Sequence, residues 1–145
     1  MGLSMERLTS LYEAYFARVA QAEKTYKPTD GMFGLRGGIS YDPCHNQFAE
    51  DLEVLLGEIA AQGDPKQAYA ALDYIYRASE IHRDANQTVY WMLIAVHSLT
   101  HPLIELLTRA DALTLWQWYG KAFPRRQSLP NQKKVLDALR ARSHT

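Results

Sequence analysis

The sequence predicts an all-α protein of about six helices, paired as antiparallel hairpins within a single domain that spans residues 1–145. The first observation is that every residue from 89 to 96 is apolar or aromatic. A helix with no polar face must be surrounded by other helices. The second observation is the dipeptide Asp-Pro, a typical helix start, at 42–43 and again at 64–65. The third is that no segment alternates with period two for long enough to form a strand.

Length and composition narrow the class of protein. The 145 residues suit one domain, and 47% of them are hydrophobic, so a substantial core can form. The single cysteine, Cys44, has no partner for an internal disulfide and fits a reducing compartment. The first ten residues lack the apolar stretch of a signal peptide, and Pro102 and Glu105 interrupt the central apolar run before it could span a membrane. We therefore expect a cytoplasmic protein.

The first helix is predicted from Ser4 to about Glu23. Ser4 suits the N-cap position, and no glycine or proline interrupts the segment. Apolar residues recur at steps of three and four, which predicts one buried face. The residues of this face are Met5, Leu8, Tyr12, Tyr15, Val19 and Ala22.

A loop is predicted over residues 27–41. Its four glycines and one proline argue against a regular element. Met32, Phe33 and Leu35 make it less polar than a plain linker, so they either cover the core or face a partner. Phe33 and the nearby Arg36 are candidate binding residues. The glycines do not indicate a phosphate-binding loop, because no strand precedes them and no Gly-Lys-Ser/Thr follows.

Two helices are predicted on either side of a Gly-Asp corner. The earlier one starts at the Asp-Pro of 42–43 and ends at Gly63, and the later one starts at 64–65 and runs to about Ser79. So short a corner makes the two helices antiparallel neighbours. The apolar face of the earlier helix is predicted to hold Cys44, Phe48, Leu52, Leu55, Leu56 and Ile59, and that of the later one Ala68, Leu72, Ile75 and Tyr76.

The central helix is predicted to start near Asp84 or Asn86 and to end at Pro102, because the residue before a proline disfavours helical angles. Thr108 and Asp111 resemble a capping box at the start of a fifth helix. The fifth helix is predicted to bury Leu115, Trp116 and Tyr119 before Gly120 and Pro124 close it, and the last, opened by Pro130, to bury Val135, Leu136 and Leu139.

A faint internal repeat leaves two architectures open. Residues 77–78 (Arg-Ala) correspond to 121–122 (Lys-Ala) at an offset of 44, and the Asn-Gln of 86–87 recurs at 131–132 at an offset of 45. This spacing resembles that of helical-hairpin repeats of the HEAT type, about 40–47 residues. A short HEAT-like superhelix and a compact helical bundle both produce this pattern.

The charges are unevenly spread although the net charge is zero. Residues 121–145 carry seven basic side chains and one acidic side chain, whereas residues 42–64 carry six acidic ones and no Lys or Arg. Such asymmetry is typical of attraction between two parts of a fold, of a homodimer, or of binding to an acidic partner. We expect a protein contact, since no nucleic-acid-binding motif accompanies the basic end.

His97, His101 and Glu105 are spaced by four residues, and on an α-helix they would share one face. Two imidazoles at this spacing can bind one metal ion. However, no Glu follows His97 as it does in metalloproteases, and two histidines fall short of the three or four ligands of a zinc site. We interpret them as a core histidine and a helix-end histidine, with no metal.

Cys44 and His45 form the other reactive candidate. A cysteine in the first turn of a helix has an increased thiolate fraction if its sulfur is exposed. Adjacent helical residues point about 100° apart, and Cys44 falls on the apolar face, where a free thiol is usually inert. We therefore predict that Cys44 is buried and unreactive.

Taken together, the sequence predicts a small helical protein–protein interaction module without catalytic activity or cofactor. Its partner is another protein, and a homodimer is possible. One alternative is a metal-binding protein or hydrolase that uses His97, His101 and Glu105. The second is a nucleic-acid binder that works through the basic end. The residues predicted to make binding contacts are Phe33, Arg36, Trp118, Arg125 and Arg126.

Overall fold

The computed structural model describes residues 2–25, 45–81, 87–123 and 130–144. All regular structure within these ranges is helical, so the prediction of an all-α protein is confirmed. The elements are α1 (Gly2–Thr25), α2 (His45–Gln62), α3 (Pro65–Glu80), α4 (Gln87–Ala95), a 3-10 helix (Val96–Thr100), α5 (His101–Ile104), α6 (Arg109–Ala122) and α7 (Pro130–His144). Helix α4, the 3-10 helix and α5 follow one another without a gap, and together they are called the central segment.

Helices α1 and α2 pack through those residues of the predicted apolar faces that the structure describes; Cys44 and the side chain of Ala22 lie outside the described part. Leu8 and Tyr12 of α1 are fully buried, while Met5 is half-buried at the edge of the core. The ring of Tyr15 stacks on that of Phe48 with the centroids 4.4 Å apart, and Tyr12 meets Phe48 edge-on at 4.9 Å. Offset and edge-on ring pairs of this kind stabilise a core beyond the area they bury.

The corner between α2 and α3 forms as the Gly-Asp-Pro sequence predicts. Gly63 has a φ of +66°, a left-handed conformation that ends a helix and that glycine adopts without steric cost. The Asp64 carboxylate accepts a hydrogen bond of 3.0 Å from the backbone amide of Lys66. Pro65 then occupies the first helical position, where its missing N–H has no intrahelical partner to lose.

The central segment does not end at Pro102, so this part of the prediction is wrong. The α-helix instead tightens into the 3-10 helix at Val96, and helical structure continues through the proline to Ile104. His101 precedes the proline and still has helical angles, φ −52° and ψ −46°. Because Pro102 lies in the first turn of α5, its missing N–H breaks no bond that this short helix requires.

The helices are arranged as a compact bundle, with the central segment inside it. In a superhelix of hairpins each repeat contacts only its neighbours. Here the 3-10 helix contacts α2, α3 and α7, which come from the early, middle and last parts of the chain. Val89, Leu93 and Ile94 are fully buried, and Trp91, at 49%, is the one exposed large hydrophobic side chain in the described part of the central segment.

Helices α6 and α7 make the most extensive helix pair of the described structure. Thr108 caps α6 as predicted, since its hydroxyl accepts a hydrogen bond of 3.1 Å from the amide of Asp111. Gly120 was expected to help close α6, but the helix continues through it to Ala122, with Phe123 at the C-cap. The Arg142 guanidinium donates a 2.7 Å hydrogen bond to the carbonyl of Leu107, which ties the end of α7 to the turn before α6.

Truncation of Leu93 tests the central position of this segment. Leu93→Ala should lower the free energy of unfolding by about 2–5 kcal/mol, because it leaves a cavity among residues that cannot fully collapse around it. The matched control is Leu113→Ala on α6, where the leucine is 43% exposed. Chemical denaturation should show a loss under about 1 kcal/mol for this control. Equal losses for the two variants would contradict the buried placement of the central segment.

Candidate functional site

Among the residues that the sequence singled out for binding, only Trp118 lies within the described ranges. His45 is the first residue of α2. Phe33, Arg36, Arg125 and Arg126 lie outside the described residues, as does Cys44. The roles suggested for these positions stay predictions.

His97 and His101 lie in different environments. The side chain of His97 is buried, with 1% of the residue exposed, whereas His101 is exposed and its Nε2 is 3.6 Å from the Glu105 carboxylate. The cause is the 3-10 helix, in which residues four apart are separated by about 120° around the axis instead of about 40° in an α-helix. Within the described residues, no group of three or more His, Cys, Asp or Glu side chains could hold a metal ion.

His97 lies at the centre of a buried network that joins three elements. Its Nε2 is 2.6 Å from the Ser79 hydroxyl of α3, and its Nδ1 is 2.8 Å from the Tyr119 hydroxyl of α6. Ser79 and Tyr119 are both fully buried. The Ser79 hydroxyl also donates a 3.0 Å hydrogen bond to the carbonyl of Ile75, one turn earlier in α3.

One arrangement of hydrogens satisfies every member of this network. The Tyr119 hydroxyl has no other hydrogen-bond partner within the described residues, so its hydrogen is assigned to His97 Nδ1. Nε2–H then donates to the Ser79 oxygen, and the Ser79 hydrogen goes to the Ile75 carbonyl. Desolvation by burial lowers the pKa of His97 to about 3, which keeps the ring neutral. Desolvation likewise raises the pKa of Tyr119, so this hydroxyl keeps its proton.

This network contains a serine–histidine contact, as a catalytic triad does, but no carboxylate holds the other ring nitrogen. A nucleophilic serine must give its hydrogen to the histidine, which acts as the base. Here the direction is reversed, because Nε2 donates to Ser79 and the serine hydrogen is held by a backbone carbonyl. The arrangement suits a structural role, in which polar groups are buried at low cost because each is hydrogen-bonded.

A second pair of hydroxyls reinforces the same region. Tyr76 and Thr100 lie 2.8 Å apart through their hydroxyl oxygens, and Thr100 donates a 2.7 Å hydrogen bond to the carbonyl of His97. Because the Thr100 hydrogen is used in that bond, Tyr76 is the donor to Thr100. The ring of Tyr76 also meets both His97 and Tyr119 edge-on, each at 4.9 Å between centroids.

A groove between α6 and α7 lies on the outside of the same helix pair. Its volume is about 620 Å³. Apolar surface comes from Trp116 and Leu136, and the charged rim includes Lys121 and Arg140, whose guanidinium carbon lies 5.9 Å from the centre of the Trp116 ring. The residues that line this α6/α7 groove are Trp116, Gln117, Gly120, Lys121, Leu136, Asp137 and Arg140.

Gly120 lines the α6/α7 groove without a side chain of its own. A Cβ atom at this position would come within 3.8 Å of Leu136 Cδ2, which is ordinary van der Waals contact. The absence of a side chain at Gly120 therefore leaves open space above Leu136, although the backbone conformation at this position does not require glycine. Sequence reasoning interpreted Gly120 as a helix end and missed the groove. The sequence does contain one sign of the groove: Gly120 lies one helical turn after Trp116 and directly before Lys121.

Trp118 faces a different neighbour from Trp116. It is half-buried, and the guanidinium of Arg77 lies over its ring at 4.7 Å from the ring centre. Arg77 is held in turn by the Asp73 carboxylate, 2.7 Å from its Nε. One face of the Trp118 ring is therefore covered from α3, and Trp118 is not among the residues lining the α6/α7 groove.

The acidic part of the chain (residues 42–64) and the basic part (residues 121–145) both form ion pairs, but none of the described ion pairs joins the two parts. Glu58 of α2 pairs with Arg7 of α1 at 2.6 Å, and Lys133 of α7 pairs with Asp137 of the same helix at 3.4 Å. Over residues 45–62 and 130–144, no described ion pair joins α2 to α7. The attraction predicted between the acidic and basic parts of the chain stays a prediction.

Comparison with known proteins gives no match of any kind: no protein-family model matches the sequence, no curated protein matches it, and no solved structure matches the fold. Within the described ranges, no helix combines the length and apolar character needed to cross a bilayer.

The burial of His97 predicts a specific pH dependence of stability. The unfolded chain takes up a proton at this histidine below its ordinary pKa of about 6.5, whereas the folded chain does not until about pH 3. Between these values the free energy of unfolding should fall with falling pH, by up to about 1.4 kcal/mol per pH unit. Above pH 6.5, His97 should not contribute to the pH dependence of the free energy of unfolding. Denaturant titrations across this range measure the effect.

The exposed histidine of the same segment provides the control. His101→Gln makes the same substitution at this exposed position, and the slope measured for His97→Gln is compared with it. His97→Gln should lower the stability at neutral pH and remove most of the slope between about pH 6.5 and about pH 4. An unchanged slope in His97→Gln would show that His97 is not a buried neutral group.

Proposed function

We propose that this chain is a protein–protein interaction module that binds a partner segment in the α6/α7 groove. The observation that carries the proposal is the combination of an apolar floor, Trp116 and Leu136, with the charged rim of Lys121 and Arg140. Tryptophan and arginine are the side chains most enriched among energetically dominant interface residues. Half-buried aromatic surface beside cations suits a partner that carries an apolar anchor next to carboxylates.

The rim favours an acidic partner over a basic one. The groove contains one carboxylate, Asp137, which already pairs with Lys133, while Lys121 and Arg140 both lie at the groove. Charges at an interface rim mainly set the association rate and the choice of partner. Binding that depends on this rim should therefore weaken as salt rises.

A binding role also agrees with the chemistry of the interior. The one buried serine–histidine contact described runs in the wrong direction for catalysis, and the ring nitrogens of His97 both have partners. We propose a cytoplasmic location for the module, supported by the single cysteine of the sequence, which fits a reducing compartment. We also propose that the chain contains an internal repeat, in which the segment that starts at residue 77 corresponds to the segment that starts at residue 121.

A photo-crosslinking side chain at Gln117, on the groove wall, tests the proposal in the source cells. It should form discrete adducts with a protein partner, whereas the same side chain at Gln21, exposed on α1, should not give these adducts. Mass spectrometry of the adducts identifies what was captured.

The glycine of the groove supplies a matched pair of variants. Gly120→Leu should fill the space above Leu136 and abolish the adducts, while Gly120→Ala should keep them and stabilise α6 by about 0.5–1 kcal/mol, the usual difference between alanine and glycine within a helix. Adducts that are equal from both crosslinking positions, or that persist in a folded Gly120→Leu variant, would contradict binding in the groove.

A further inference from the structure

The outer surface of α2 combines an exposed aliphatic side chain with several carboxylates. Val54 is 62% exposed and is surrounded on the helix surface by Glu50, Asp51, Glu53 and Glu58, all of which are exposed. These five residues are called the acidic face of α2. Neither Lys nor Arg occurs in α2. An exposed valine at the centre of an acidic surface has the chemistry that the α6/α7 groove accommodates.

The carboxylates of the acidic face differ in whether they have a hydrogen-bond or ion-pair partner within the described residues. Asp51 accepts a hydrogen bond from Gln47 at 2.9 Å, and Glu58 pairs with Arg7. For Glu50 and Glu53, no ion pair is described with any residue in the ranges that the structure covers. These two glutamates are therefore available to the cations of a second molecule.

The shape of α2 permits close approach to another helix pair. Glu50, Val54 and Gly57 follow at steps of four and three, so they lie along one strip of the helix surface. A Cβ atom on Gly57 would have no neighbour within 4 Å, so the strip is open at this point. A surface with a small residue beside a valine leaves room for a large side chain such as Trp116.

From these observations we infer that the α6/α7 groove binds a second copy of this chain through the acidic face of α2. The inference rests on the proposed function and names its partner. Val54 of one copy packs against Trp116 and Leu136 of the other, and Glu50 and Glu53 meet Lys121 and Arg140. Two of the seven basic side chains after residue 120 are then paired between molecules, in addition to the ion pair that Lys133 makes with Asp137 within one chain.

The contact joins two different surfaces, which determines the assemblies that it can build. Two copies related by a two-fold axis close the assembly as a dimer if both pairs of surfaces meet at once. If only one pair can meet, the free groove and the free acidic face at the two ends add further copies. In either case association increases with protein concentration and weakens with salt, since the charged pairs lie at an interface rim.

Sedimentation velocity of the purified chain at rising concentration tests the inference. At about 0.05 M salt the weight-average mass should rise above that of one chain, and at about 0.5 M salt, where the Debye length is about 4 Å, it should fall back toward one chain. Lys121→Glu/Arg140→Glu and Glu50→Lys/Glu53→Lys should each raise the dissociation constant at least about tenfold, which corresponds to 1.4 kcal/mol.

The two double variants also provide a charge-swap test when they are mixed. The reversed groove of one variant matches the reversed acidic face of the other, so the mixture should associate although each variant alone does not. Arg18→Glu, a charge reversal on the exposed side of α1, should leave self-association unchanged. Circular dichroism confirms that each variant is folded.

The outcomes separate this inference from the proposed function. A wild-type chain that stays monomeric at low salt, or self-association that the charge reversals leave unchanged, would overturn the inference. Adducts from Gln117 with a different protein would then keep the groove as a binding site with another partner. A monomeric chain that also gives no groove-dependent adducts would contradict both the inference and the proposed function.

Discussion

The imidazole of His97 is buried at the meeting point of α3, the central segment and α6, and it can lie there only if both of its nitrogens are hydrogen-bonded. A buried polar group that loses its partner costs about 1–3 kcal/mol. Ser79 and Tyr119 supply the two partners at 2.6 and 2.8 Å, and Tyr76 and Thr100 hold the backbone beside them. The relative positions of three helices are thus fixed by directional bonds, in addition to apolar packing, which has no direction.

The 3-10 helix is the local adjustment that makes this possible. Tightening the backbone at 96–100 turns His97 inward and His101 outward, although the two would share a face of an α-helix. It also lets the hydroxyls of Ser98 and Thr100 donate to the carbonyls three residues earlier. Tyr119 of α6 points inward while its neighbour Gly120 is exposed at the α6/α7 groove, so the interior network also holds the helix that forms one wall of this groove.

The parts of the fold that depend on local chemistry could be predicted from the sequence. Helical periodicity identifies the buried faces, the Asp-Pro of 64–65 and Thr108 mark helix starts, and a helix that is apolar all round indicates a central position. The errors arose where distant residues decide the outcome. Pro102 is tolerated because the backbone changes type before it, and Gly120 is helical because α7 packs beside it. The partners of His97 are separated from it by 18 and 22 residues, so no spacing in the sequence reveals them.

Long-range ¹H–¹⁵N correlation spectra of the histidine side chains test the His97 network most directly, since they report which ring nitrogen carries the proton. One histidine should be neutral at pH 7 and remain so at about pH 5, well below its ordinary pKa. Its proton should be on Nε2, with slow exchange, and Nδ1 should show the shift of a hydrogen-bond acceptor; the signals should disappear in His97→Gln. A proton on Nδ1, or titration of every histidine near pH 6.5, would contradict the network around which these helices are arranged.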